Sequence, residues 1–189
     1  MSAYFDDKEF DNLNYAKKRF ETGEYEQCRF SNCNLLNSDL SGSVFEECEF
    51  SNCDLSMSKL HKTAFKNVSF KNCKMLGLHF EICNPFLFEV RFDNCQLNLS
   101  SFYKLSMKGT TFNGSSIQEV DFAEADLTKS TFTNCDLLGA LFENTVLEQS
   151  DFREAYNYSI DPEMNRIAKA KFSSSGLQGL LSKYDIVVD

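Results

Sequence analysis

Histidine is scarce in this chain: His61 and His79 are the only two among 189 residues. No His-Glu-x-x-His pattern and no glycine-rich phosphate loop occurs, so metalloprotease and nucleotide-hydrolysing chemistry have no anchor in the sequence. There are eight cysteines but no Cys-x-x-Cys pair, the convergent spacing that zinc sites use. No apolar run approaches the roughly eighteen residues of a membrane-spanning helix. The N-terminal stretch from Met1 to Phe10 is acidic and lacks the apolar centre of a signal peptide, so the chain reads as a cytoplasmic protein without a membrane partner. Net charge is -9, which disfavours direct nucleic-acid binding. No enzyme, cofactor or metal is expected on these grounds. By length the chain is one domain.

What the sequence has in abundance is repetition. The phrase Phe-x-Asn-Cys-x-Leu occurs from Phe30 to Leu35 and again from Phe50 to Leu55, with near-copies from Phe70, Phe92 and Phe132 and a looser one from Phe112 to Ile117. A fixed period of about twenty residues marks a stacked-repeat architecture. The unit inside the twenty is five. Every fifth residue from Phe30 to Phe80, and again from Leu87 to Phe152 after a slip of two, gives 25 positions that are all Phe, Leu, Met or Ile. Two residues earlier the side chain is small in nearly every case, and two residues later Asn or Gly fills 13 of the 25 positions. Period five fits neither a helix nor a strand. It fits one side of a square coil, with two inward side chains and a turn residue that tolerates left-handed backbone angles. Four sides make one coil, and residues twenty apart stack in columns: Phe30, Phe50, Phe70, Phe92, Phe112, Phe132 and Phe152 in one, Leu40, Leu60, Phe80, Phe102, Phe122 and Phe142 in the opposite one. At about 4.8 Å per coil, six coils make a rod roughly 30 Å long. The segment Asn84-Pro85-Phe86 reads as a corner bulge between 83 and 86 that leaves the faces unchanged.

This pattern resembles the pentapeptide-repeat family from Cys28 to Phe152. The resemblance implies an all-β fold, a right-handed quadrilateral β-helix, here with a short C-terminal helix and strand. Residues 1–27 keep an aromatic beat at Phe5, Phe10, Tyr15, Phe20 and Tyr25 but lose the small positions, and read as a cap or an irregular first coil. Residues 28–172 form the repeat β-helix and 173–189 its C-terminal element. In that frame Cys33, Cys53, Cys73, Cys95 and Cys135 share one inward column, and Cys28 and Cys48 another. Parallel side chains one coil apart suit disulfide geometry poorly, so these are reduced, core-filling thiols. Cys83, at the bulge, is expected to be the most exposed. Both histidines fall beside core positions and point outward.

Function then has to lie on the surface. Nine acids, Glu119, Asp121, Glu124, Asp126, Asp136, Glu143, Glu148, Asp151 and Glu154, stand against Lys129 and Arg153 over slightly less than two coils. That is locally as charge-dense as duplex DNA, which carries one charge per roughly 1.7 Å of axis. A basic run, Lys59, Lys62, Lys66, Lys71 and Lys74, is read as the balance to the acids from Asp39 to Asp54. After Phe152 the beat fades through Asn157 and Pro162. Ser173-Ser174-Ser175 offers helix N-caps, Leu177, Leu180, Leu181 and Tyr184 follow at helical spacing, and Ile186-Val187-Val188 reads as a strand. A solenoid end needs capping, and an apolar helix with an unpaired strand could also join two rods as a homodimer. This ending resembles that of the Qnr-type quinolone-resistance members of the family. The resemblance implies a dimeric DNA mimic that binds DNA gyrase or topoisomerase IV, protecting or inhibiting it, with the nine acids as the contact surface. The alternative is a general interaction scaffold with an unrelated protein partner, met by an exposed patch such as Phe86, Phe88 and Tyr103.

Overall fold

The computed structural model describes residues 3–184 and 186. The chain winds into a parallel β-solenoid of about seven turns closed by one short C-terminal helix. Among the described residues eleven short strands carry two sheets: β1 (Ala3–Asp6), β3 (Gly23–Glu26), β5 (Val44–Glu46) and β7 (Ala64–Lys66) in one, and β2 (Glu9–Asp11), β4 (Arg29–Ser31), β6 (Glu49–Ser51), β8 (Val68–Lys71), β9 (Val90–Asp93), β10 (Thr111–Asn113) and β11 (Thr131–Thr133) in the other. Every pairing is parallel, and all but those that cross residues 83–89 are in register at twenty residues, as in Phe30↔Phe50; isolated bridges such as Asn34↔Asp54 and Asp39↔Lys59 hold the remaining two sides. The four faces are named by their core columns: the Phe30 face, the Leu35 face, the Leu40 face and the Phe45 face.

The core is the column pattern made solid. Ring stacks run Phe10, Phe30, Phe50, Phe70, Phe92, Phe112, Phe132, Phe152 and Phe172 with centroid spacings of 4.6 to 5.5 Å. The stack therefore extends one coil beyond the perfect frame at each end. Between neighbouring columns the rings meet edge to face, as Phe112 and Phe122 do at 6.0 Å. Both geometries are the favoured ones for aromatic pairs, worth about 0.5–1.5 kcal/mol beyond burial. Corners are held by left-handed backbone at Asn32, Asn37, Gly42 and their equivalents, and also at Met57, Lys62, Leu99 and Glu124. At the corner that follows Leu35, Ser38 N–H donates to Leu35 O at 2.9 Å with Asn37 at φ 56°, the signature of a type II turn.

The small inward residues do more than fill space. Cys53 Sγ donates to Phe30 O at 3.3 Å, Ser58 Oγ to Leu35 O at 2.7 Å, Thr63 Oγ1 to Leu40 O at 2.9 Å and Ser130 Oγ to Met107 O at 2.9 Å. In each case the hydroxyl or thiol meets the carbonyl of a core residue in the preceding coil. A buried carbonyl at a corner needs such a donor, which is why Ser, Thr and Cys dominate this position.

The two-residue slip is the one place where the reading of the core changes. Spacing shifts from 20 to 22 across it, as in Val68↔Val90 and His79↔Ser101, and returns to 20 beyond. Leu87 does not enter the core: it is exposed and sits at φ 57°. Phe88 turns inward in its stead, edge-on to Phe65 at 6.4 Å and to Phe80 at 6.1 Å, so it does not belong to an exposed patch. Cys83 is buried rather than exposed, because it precedes the extra residues and fills the same inward site as Thr63 one coil earlier. Near the C-terminus Tyr158 and Ile160 are buried, one residue after Asn157 and two before Pro162, the positions that the five-residue beat marks.

Candidate interaction surface

A filled interior leaves no room for an enclosed site. Twelve phenylalanines are essentially without solvent exposure, and a cavity of about 790 Å³ lies outside the coil beneath the C-terminal cap. Among the described residues no group of three or more His, Cys, Asp or Glu could hold a metal, and no helix is long and apolar enough to cross a membrane. His61 and His79 are exposed, and His79 Nδ1 lies 2.8 Å from Glu81 Oε1.

The nine acids do not share a flank. The register puts Asp151 and Glu154 on the Phe30 face, Glu119 and Asp136 on the Leu35 face, Asp121, Glu124 and Glu143 on the Leu40 face, and Asp126 and Glu148 on the Phe45 face. The reason is geometric: five residues turn the chain through one corner, so a run of acids in sequence becomes a ring around the rod. Several are occupied in building it. Asp121 Oδ1 accepts from Ala123 N–H at 2.8 Å, Asp126 Oδ1 from Thr128 N–H at 3.0 Å, Asp136 Oδ1 from Leu138 N–H at 3.2 Å and Asp151 Oδ1 from Arg153 N–H at 3.2 Å. This is the Asx turn, a local cap on the corner. Cations cover others: Lys104 lies 3.4 Å from Glu124, Lys108 3.2 Å from Asp126, and Arg166 2.6 Å from Glu148. The Arg153 guanidinium beside Asp151, at 2.6 Å, holds that carboxyl below the usual carboxylate range. Of the nine, more gather on the C-terminal half of the Leu40 face than on any other face, and there Asp161 and Glu163 join Asp121, Glu124 and Glu143; the first three coils of the Phe45 face carry six other acids, Asp6, Asp7, Glu24, Glu26, Glu46 and Glu47.

Along the axis, charge is segmented. Residues 1–54 hold five Lys and Arg against twelve acids, residues 55–118 hold eight against three, and residues 119–189 hold six against thirteen. The basic run from Lys59 to Lys74 is thus part of a net-positive belt between two acidic ends.

The C-terminal element is a cap with less helix than its sequence spacing implies. A 3₁₀ turn at Ser174–Gly176, capped by Ser173 Oγ accepting from Gly176 N–H at 3.1 Å, leads into α1 (Gln178–Leu181) and a second 3₁₀ turn at Ser182–Tyr184. Gly176 and Gly179 lie against Tyr158, where any Cβ would collide with its ring or hydroxyl. Ile160 N–H donates to Gly179 O at 2.9 Å, and Lys183 Nζ reaches Asp161 at 2.8 Å and Glu163 at 2.7 Å. Leu180 packs on the core; Leu181 is half-buried, while Leu177, Tyr184 and Ile186 are exposed, and Ile186 carries no strand. Val187 and Val188 lie outside the described residues. With Leu138 and Tyr156, also exposed, Leu181 and Ile186 line the 790 Å³ groove.

Two family models match the chain: "Pentapeptide repeat region" over residues 43–122 and "Pentapeptide repeats (8 copies)" over residues 121–156. No curated protein matches the sequence significantly. Among solved structures, a trypsin-treated variant of QnrB1, a plasmid-mediated fluoroquinolone resistance protein, shares 15% identity and a TM-score of 0.62, covering 99% of this chain and 100% of that one. HetL, a pentapeptide repeat protein involved in heterocyst differentiation regulation from the cyanobacterium Nostoc sp. strain PCC 7120, shares 14% identity and a TM-score of 0.74, covering 91% and 86%. Likeness at this identity bears on the fold.

Proposed function

The chain belongs to the pentapeptide-repeat family, and from that premise we propose that it is a cytoplasmic, non-enzymatic scaffold that binds a protein partner on the outside of its rod. The observation that carries this reading is the packed interior, with its unbroken ring stack and buried hydroxyls and thiols bonded to backbone, which leaves only outward side chains to meet another molecule. Solenoids offer extended surfaces of this kind. Affinity capture from the source cell, followed by titration of the purified partner against variants reversed face by face, tests it. A partner that binds at micromolar concentration and is lost on reversing surface charge supports the scaffold; no protein binding at that concentration would sink it.

A second reading names the partner as a type II topoisomerase, DNA gyrase or topoisomerase IV, engaged by DNA mimicry, with a homodimer formed through Leu177, Leu180, Leu181, Tyr184 and Ile186 to Val188. It is favoured by the acid-rich C-terminal half of the Leu40 face and by the exposed apolar residues at the cap. Supercoiling and quinolone-induced cleavage assays decide it: no effect at micromolar protein would remove it. The central basic belt weighs against a continuous DNA-like surface, so mimicry would be confined to one acidic end, which this reading takes to be the C-terminal one.

A further inference from the structure

The folding of the rod has no use for the tip of the bulge. Asn84 Oδ1 accepts from Phe86 N–H at 3.0 Å and fixes the loop, which then presents Phe86 at 68% exposure and Leu87 at 61%. Leu87 adopts φ 57°, a conformation that most corners assign to Asn or Gly. Ile82, 42% exposed, opens the bulge at the corner between the Leu40 and Phe45 faces. Adjacent large apolar side chains held outward by a loop that the coils do not need mark a recognition surface rather than a packing solution.

The charges around that tip are cationic. Lys62 N–H donates to Ile82 O at 2.9 Å, which places Lys62 one coil below on the same corner, and Lys104 occupies that corner one coil above. Lys66 follows Phe65, whose ring packs on Phe88. Arg91 and Lys108 line a shallow groove together with Leu87. The acids present are Glu81, beside His79, and Glu89, held by Arg91 at 2.9 Å. Lys66, Lys104 and Lys108 also reach acids on the outer coils, at Glu46, Glu124 and Asp126.

We propose that the middle of the rod is a docking site for a short acidic protein segment bearing an apolar patch, with Phe86 and Leu87 entering the patch and the surrounding lysines and Arg91 meeting the acids. Length selects the occupant. The net-positive belt spans about three coils, roughly 15 Å. A nucleic-acid duplex laid along the rod or a flat anionic bilayer would extend past it onto both acidic ends, whereas a short segment crossing the rod stays within it. The site rests on the scaffold reading and names the chemistry of the partner.

The test is fluorescence anisotropy with the full chain and a short labelled peptide in which Asp and Glu flank a Leu-Phe pair. Binding should saturate in the micromolar range and weaken with added salt. Two surface double variants, Phe86→Ser with Leu87→Gly and Lys62→Glu with Lys108→Glu, should each lose about ten-fold or more in affinity while melting as the wild type does, since buried aromatic anchors dominate such interfaces. Peptides with Ser-Ser for Leu-Phe, or Lys for the acids, should bind weakly. No saturable binding, equal binding by the variants, or tighter binding to a duplex oligonucleotide or to phosphatidylserine vesicles would overturn the proposal. No peptide binding by the wild type, together with partner capture retained in the Phe86→Ser, Leu87→Gly variant, would remove this site and leave the scaffold standing.

Discussion

Replacing Ser100 by alanine should be far more costly than its size suggests. Its hydroxyl is almost fully buried and does two jobs: it donates to Met75 O at 2.8 Å and accepts from Leu78 N–H at 3.0 Å. At the equivalent corner one turn below, Leu55 O and Ser58 N–H bond each other at 3.1 Å. At Met75 and Leu78 the hydroxyl from the next coil sits between them instead. Alanine would leave a buried carbonyl and a buried N–H unpaired, at about 1–3 kcal/mol each. Partial closure of the turn returns some of this, for a net loss of roughly 2–4 kcal/mol. Ser43 is the matched control: equally buried, with an Oγ that has no partner. Ser43→Ala should change stability by no more than about 0.5 kcal/mol, because no bond is lost. Urea unfolding of the two variants side by side measures the difference. Ser100→Cys should recover part of the loss, as thiols fill the corresponding inward position on other faces of the rod and donate to carbonyls there. Equal destabilisation by the two alanines would refute the donor role assigned to the small inward residues.

Other consequences can be checked in parallel. Phe112→Ala, at the centre of the longest ring stack, should cost about 3–5 kcal/mol in urea unfolding, and Phe86→Ala at the exposed tip close to none. The eight cysteines are all buried, and that enclosure should keep thiol reagents away from the native protein at neutral pH, so that all eight react only when it is unfolded. Hydrogen bonding to Arg153, reinforced by Lys171, lowers the Asp151 carboxyl in the folded state. A depressed carboxylate contributes stability above its unfolded value that is lost as pH falls through the folded one, so this contribution should disappear below about pH 4 and be absent in Asp151→Asn. Finally, Leu177→Asp with Ile186→Asp should convert any dimer to monomer in light scattering without unfolding the coils; an unchanged mass would place the interface elsewhere.

The columns were legible because each Phe, Leu or Met repeats at five and at twenty, and only one architecture satisfies both periods. The bulge was not. Its two extra residues admit either Leu87 or Phe88 as the inward side chain, and the five-residue count alone favours the leucine; the chain instead buries the larger ring against Phe65 and Phe80. Composition marked Cys and Ser as small but not as donors to carbonyls one coil away, since the partner residues lie 23 or 25 positions distant. The acidic run misled for a related reason. Glu119 and Asp126 are neighbours in sequence yet stand on different faces, because each five residues turns a corner. Asx turns at Asp121, Asp126, Asp136 and Asp151 give several of these acids a structural reason for their places.

The account stands most directly on what the outside of the rod does. Titration of a captured, purified protein partner by calorimetry, against wild type and against charge-reversed variants of the N-terminal end, the central belt and the C-terminal end, at low and high salt, tests that. The account predicts saturable binding that weakens with salt and falls about ten-fold or more when one of the three regions is reversed. Absence of saturable binding to any protein, or binding that survives reversal of all three, would contradict it.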